Sequence, residues 1–245
     1  MNIDMSDELE SLVSSLAPIL HFHKDEGRYC CFPTDAEETF TTFGTDWKQF
    51  KKDLAPNILD PTTPCYYETW KDEDLIQIRY WFWYRYNKFP DIPFRLGDHL
   101  GDWEHVEVRL YPKLSIGESA IWFISNHNTA RVTSYPTTVT FPQFKSETSS
   151  FSDNHIHVWV AMGSHANYMS PYSRVYCVAK RYCDKLSKDG SVWKTEQNLI
   201  PLSETNFVSY TGRWGDRKAP RSPTNAYNNR WRNAPNDLPI PSNRQ

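Results

Sequence analysis

The residues best equipped for chemistry in this chain lie in Gly97-Asp98-His99-Leu100-Gly101-Asp102-Trp103-Glu104-His105-Val106. Asp102 and Glu104 precede the strand-like run Val106-Glu107-Val108-Arg109-Leu110. In an extended chain alternate side chains share a face, so the two carboxylates should lie on the face of Val106, Val108 and Leu110. Carboxylates in an apolar row are costly unless a cation or a set of donors satisfies them. His99, Asp102 and Glu104 offer one nitrogen and two oxygens, a set suited to Mg, Ca, Mn or Zn. The same charges would also be satisfied without a metal, by a buried hydrogen-bonded network in which histidines and an arginine such as Arg79 neutralise them.

Other polar groups follow strand-like runs. His127 follows Ser119–Ser125, and His165 follows His155–Met162 within Gly163-Ser164-His165. If these ends meet, His127, His165 and Asp102 form an acid/base set, since imidazole transfers protons near neutral pH. Tyr84, Trp103 and Tyr168 would then shape a substrate pocket. Ser164-His165 is no catalytic dyad, because neighbours on a strand face opposite ways and no Gly-x-Ser-x-Gly elbow surrounds the serine. His21 and His23 share one side of an extended segment; a hydrogen-bonded or partly exposed pair is the more usual reading, and a two-histidine metal pair the alternative, with no third ligand evident nearby.

The elements that would position these groups are mostly strands. Ile76–Tyr86 carries large side chains on both faces, as expected of a central strand covered on both sides. Leu9, Leu12, Val13 and Leu16 repeat at helical spacing after Ser6 and before Pro18. A further short helix is expected within Glu37–Phe50. With 15% aromatic residues, the composition suits sheet better than helical bundle. The expectation is an all-β sandwich of one domain over 1–245, with a short N-terminal helix and peripheral helices or long loops. Its core should include Ile76, Ile78, Phe82, Val106, Val108, Ile124 and Val158, and residues 220–245 should wrap the surface or stay mobile.

The net charge of -3 and short charged runs argue against nucleic-acid binding. No apolar run reaches the ~18 residues of a membrane span. The acidic start, with Asp7, Glu8 and Glu10, is unlike a secretory signal, and five cysteines without a CxxC pair read as free, mostly buried thiols. A cytoplasmic protein with no organic cofactor is the resulting expectation.

Several stretches resemble the family of vacuolar protein sorting-associated protein sixty-two. They are residues 17–34, Tyr80–Val108 with its Gly-Asp-His-x-Gly-Asp-Trp-Glu-His block, Val158–Tyr168, and Gly212-Arg213-Trp214-Gly215. The central block is more distantly similar to the Gly-His-Arg-His-Asp-Trp-Glu heptapeptide of necrosis- and ethylene-inducing peptide-like proteins. That resemblance implies a β-sandwich, a divalent cation and sphingolipid targets. It places the heptapeptide's first histidine on His99, its aspartate on Asp102 and its glutamate on Glu104. The second histidine falls on Gly101 and the glycine on Asp98. Two functions remain open. One is an intracellular enzyme acting on a small organic molecule by acid/base or metal-assisted hydrolysis, elimination or cyclisation, as a biosynthetic lyase or cyclase would. The other is a non-catalytic module that binds a lipid headgroup or glycan, linked by the first resemblance to vacuolar trafficking.

Overall fold

A computed structural model describes residues 5–47, 55–71, 76–115, 118–125, 130–136, 151–152, 155–168 and 170–225. Strand outweighs helix, 34% to 18%, and the fold is sandwich-like as the alternating aromatic runs predict. The first sheet is built around the central strand, β3 (Ile76–Asn87). It pairs antiparallel with β2 (Cys65–Lys71) on one side and with the long β4 (His99–Ser115) on the other. β5 (Glu118–Ser125) and β6 (Ala130–Pro136) extend the sheet beyond β4, and β13 (Leu199–Pro201) runs parallel to β2 at the opposite edge.

In the second sheet, β1 (Ile19–Phe22) runs parallel to β8 (His155–Val160) and antiparallel to β12 (Val192–Lys194). β7 (Phe151–Ser152) and β9 (Asn167–Tyr168) both pair with β8. A small hairpin joins β10 (Cys177–Val178) to β11 (Tyr182–Cys183). The helices are short: α1 (Met5–Ser15), α2 (Glu26–Tyr29) and α3 (Ala36–Phe43). Asp35 caps α3 by accepting from the backbone N–H groups of Glu37 and Glu38. Gly44 ends it with a φ of 56°, before the Phe50 limit expected from sequence.

The two rows of β3 enter different apolar clusters. Ile76, Ile78, Tyr80, Phe82 and Tyr84 pack with Val106, Val108, Val158, Leu20 and Trp193 between the sheets. Trp81 and Trp83 pack on the opposite face with Trp103, Phe207 and Trp214. A strand buried on both faces can sustain this unbroken run of large side chains. The expected core residues of β3, β4 and β8 are all buried. Ile124 lies in β5, whose side chains are not described.

Arg79 does not neutralise Asp102 or Glu104. It lies on the opposite face, 2.6 Å from Glu107 and 3.4 Å from Glu68. Nor are all the cysteines free: Cys177 and Cys183 form a disulfide that closes the β10–β11 hairpin, leaving Cys30, Cys31 and Cys65 as thiols. Hairpin pairing brings the two sulfurs together without any CxxC spacing to announce it. Among the described residues, no helix is long and apolar enough to cross a membrane. Residues 226–245, most of the expected tail, lie outside the described residues.

Candidate functional site

Strand pairing places Asp102 opposite Tyr84, and His99 opposite Asn87, at the end of the β3–β4 ladder. Leu100 and Trp103 both pack on the outer aromatic cluster although they stand three positions apart. Regular alternation would put them on opposite faces. Gly101 interrupts it with a φ of 76°, and a Cβ there would stand 1.7 Å from the Trp214 carbonyl oxygen. The kink turns Leu100 to the outer cluster, while Asp102 keeps the inward place and Trp103 the outward place that the strand period gives them.

Asp102 meets His165, which the tight turn between β8 and β9 delivers. The His165 backbone N–H donates to the Ala161 carbonyl, and the residue adopts a left-handed φ of 56°. Its Nδ1 lies 3.1 Å from Asp102 Oδ2, which also accepts from Asn87 Nδ2 at 3.1 Å. The Tyr84 ring stacks on the imidazole at 3.8 Å and 5°. Tyr84 is fully buried, and its hydroxyl has no hydrogen-bond partner among the described residues.

On the other side of the imidazole lies α2. Glu26, fully buried, accepts from the Gly163 backbone N–H at 3.0 and 3.1 Å and from Cys31 N–H at 3.4 Å. Its Oε1 is 3.8 Å from His165 Nε2, as is Cys31 Sγ. Cys30 Sγ lies 2.7 Å from Cys31 Sγ. Among the described residues, Cys30, Cys31 and His165 form a cluster of potential metal ligands, all within 4.8 Å of one another.

The electrostatics follow from burial and pairing. Burial alone would raise Asp102, but the His165 hydrogen bond and the nearby His99 and Asn87 outweigh it and hold the carboxyl below its usual range. Burial alone would lower His165, yet Asp102, Cys30 and Glu26 hold it well above. Glu26 is pushed up to about 7 by burial, against the opposing pull of His165 and the Gly163 N–H. Burial opposes ionisation of Cys30, but hydrogen bonds from Cys31 and His165 bring it to about 6. Pairing therefore favours the protonated form of His165, against its burial.

The residues expected from sequence are dispersed around this centre. Asp102 and His165 do meet. His99 is half-buried and donates from Nδ1 to the Gly101 carbonyl at 2.8 Å. Glu104 is buried two residues along the inner face from Asp102. Trp103, 1% exposed, belongs to the outer aromatic cluster. Tyr168, 1% exposed, donates to Asp184 at 2.5 Å, as does Ser164. His127 lies outside the described residues. His21 pairs with His157 across the parallel β1–β8 ladder at 2.7 Å, while His23 lies 3.9 Å from Asp25. Glu26, Cys30 and Cys31 were missed by sequence reasoning. The available signal was the adjacent thiol pair just after an acidic turn.

Next to the buried centre is an open cleft of about 470 Å³, lined by Tyr29, Lys88, Phe89, Asp91, Arg95 and Asp98. Tyr86 links the two: it donates to Asp98 Oδ2 at 2.5 Å and accepts from Arg95 at 2.6 Å. Lys88 Nζ lies 3.8 Å from the centre of the Tyr29 ring, and Lys185 pairs with Asp91 at 2.6 Å. None of Tyr84, Trp103 and Tyr168 lines this cleft.

No protein-family profile matches the chain, and no curated protein matches it. The vacuolar protein sorting-associated resemblance therefore rests on its motif residues alone. Solved structures of necrosis- and ethylene-inducing peptide-like proteins are partly similar. The crystal structure of non-toxic HaNLP3 protein is 15% identical, covering 84% of this chain and 78% of that chain, with a TM-score of 0.44. NLPPya in complex with glucosamine is 13% identical, covering 83% and 78%, with a TM-score of 0.40. Necrosis and Ethylene inducing Protein 2 from the causal agent of cocoa's Witches Broom disease is 15% identical, covering 78% and 73%, with a TM-score of 0.37. Identity this low transfers no residue role and no ligand.

Proposed function

We propose that the protein is a non-catalytic module that binds a sugar-bearing headgroup, as a free glycan or on a lipid, in the cleft beside Tyr86. The observation that carries this reading is the contrast between the open cleft and the sealed acid/base pair. A general acid or base must come within hydrogen-bond reach of the group it serves. His165 is 0% exposed and Asp102 is 4% exposed, with the Tyr84 ring lying over the imidazole. His165 is held in a network of Asp102, Glu26 and the two thiols, which suits a structural centre better than a proton shuttle. The acid/base enzyme reading lacks an open route to these atoms.

The cleft has the character of a recognition site. Aromatic rings suit the apolar faces of sugars, and mixed charges can meet hydroxyl and amino groups. Beside the cleft, Phe94 is 92% exposed and Leu96 is 65% exposed. Phe94 and Arg95 take left-handed φ values of 60° and 55°, an uncommon backbone for side chains of this size. Strain that displays an apolar ring beside a polar cleft suits contact with a lipid surface below a bound headgroup.

Two probes separate the sources of that headgroup. Co-sedimentation would use phosphatidylcholine vesicles with and without a glycolipid, and calorimetric titration would use free hexosamine. Headgroup-dependent binding is expected, weakened roughly tenfold or more (about 1.4 kcal/mol) by Arg95→Ala. Phe94→Ser should weaken vesicle binding and spare the free sugar. Absence of binding to both probes, or binding untouched by both substitutions, would overturn the reading.

A further inference from the structure

We infer that Cys30, Cys31 and His165 form a binding site for a single thiophilic cation of the zinc class, with Asp102 orienting the imidazole from behind. This differs from the hard-cation set of His99, Asp102 and Glu104 expected from sequence, and it is independent of the cleft.

Three observations converge. First, the donor set is soft: two sulfurs and one imidazole nitrogen suit zinc or a similar ion, and a magnesium or calcium site would need oxygens instead. Second, the spacing is nearly that of ligands on one ion. Bonds of about 2.3 Å to sulfur and 2.0–2.1 Å to nitrogen put tetrahedral ligand atoms roughly 3.5 Å apart. Cys31 Sγ and His165 Nε2 are already 3.8 Å apart. The two sulfurs, 2.7 Å apart, must open by about 1 Å to reach the separation that such bonds set. Cys30 is only half-buried, so its side chain can swing to make that room.

Third, the surroundings are those of a supported ligand. Metal-bound histidines usually donate their other ring N–H to a carboxylate or carbonyl, which fixes the ring and its tautomer. His165 Nδ1 meets Asp102 Oδ2 in this way at 3.1 Å, leaving Nε2 facing the thiols. Tyr84 holds the ring by stacking, and its buried hydroxyl has no partner among the described residues. Glu26, 3.8 Å from Nε2, is placed to take the fourth position or to hold a ligand water there. Binding displaces whatever protons the thiols and Nε2 still carry, and the incoming dication offsets the negative charge that the site gains.

The test is an anaerobic Co(II) titration of the full chain with the Cys177–Cys183 bond in place and the other thiols free. One ion per chain is expected, with sulfur-to-cobalt charge-transfer and tetrahedral d–d absorption, both removed by an equivalent of Zn(II). Cys30→Ser, at the half-buried position, should fold and lose the charge-transfer intensity of one sulfur together with most of the affinity. Asp102→Asn should lower the affinity about 10- to 100-fold. Cys65→Ser, on β2, should change neither. The proposal fails if the reduced protein takes up no Co(II) or Zn(II), or if uptake survives unchanged in both Cys30→Ser and His165→Gln. It also fails if Cys30 and Cys31 are found joined as a disulfide that reduction opens without conferring metal uptake.

Discussion

Replacing Glu26 with Gln tests whether the buried centre is electrostatically coupled as its geometry implies. Glu26 is 0% exposed, and its pKa is raised from the usual 4.5 to about 7, chiefly by burial. Its folded pKa lies above its unfolded one, so the folded state holds the proton more tightly. The associated stability is fully present below pH 4.5 and is lost as pH rises through about 7. The gap corresponds to on the order of 3 kcal/mol. His21 works in the opposite sense: burial, then the nearby His157, lower it to about 4, so its contribution grows as pH rises towards 6.5. The informative quantity is therefore the difference between the parent and Glu26→Gln across pH. Gln keeps one oxygen to accept from the Gly163 N–H and cannot ionise. Urea unfolding at pH 5, 6, 7 and 8 should show the variant gaining steadily on the parent. At an m-value of ~2–3 kcal/mol/M, the midpoint difference should change by about 1 M over that range. Parallel stability profiles for the two proteins would refute the assignment of a raised Glu26 carboxyl.

Further outcomes follow from the same packing. Trp103→Ala should cost about 3–5 kcal/mol in urea unfolding because it leaves a cavity among Trp83, Phe207 and Trp214, yet hexosamine affinity should not change. Gly101→Ala should cost more than ~2 kcal/mol, since it combines a left-handed φ of 76° with a backbone clash at Trp214, and thermal denaturation will show it. Cys177→Ala with Cys183→Ala should cost about 2 kcal/mol by loss of loop closure, read as the parent-minus-variant difference without reductant. Adding reductant should shrink that difference towards zero.

The β-rich architecture and its central strand were legible in residue order. Ile76–Asn87 carries large side chains at every other position on both faces, and only a strand packed on two sides accommodates that pattern. The inward row of Asp102, Val106, Val108 and Leu110 followed from the two-residue period alone. Trp103 could not be assigned in that way. Whether an aromatic residue lines a cleft or fills a core depends on what covers its face, here Phe207 and Trp214 from more than 100 residues away. The kink at Gly101 also depends on the distant Trp214 backbone. Arg79 shows the same limit: the period puts it in one row with Trp81 and Trp83, but only pairing in the sheet sets that row on the face away from Asp102 and supplies Glu68 and Glu107 as its partners.

The chemical types of the centre's donors were set by the chain, but their meeting was decided by tertiary structure. Asp102 comes from β4, His165 from a left-handed turn after β8, and Glu26, Cys30 and Cys31 from a four-residue helix and the residues after it. No spacing rule connects segments so far apart, because their distances are fixed by sheet pairing and by the turn that reverses the chain at Gly163. Sequence alone determined where strands form and which way their side chains alternate, since both are local steric properties of the backbone. Tertiary structure decided which polar groups share one desolvated space, and therefore which are ionised and what they can bind. Proximity and burial, unlike periodicity, belong to the assembled fold.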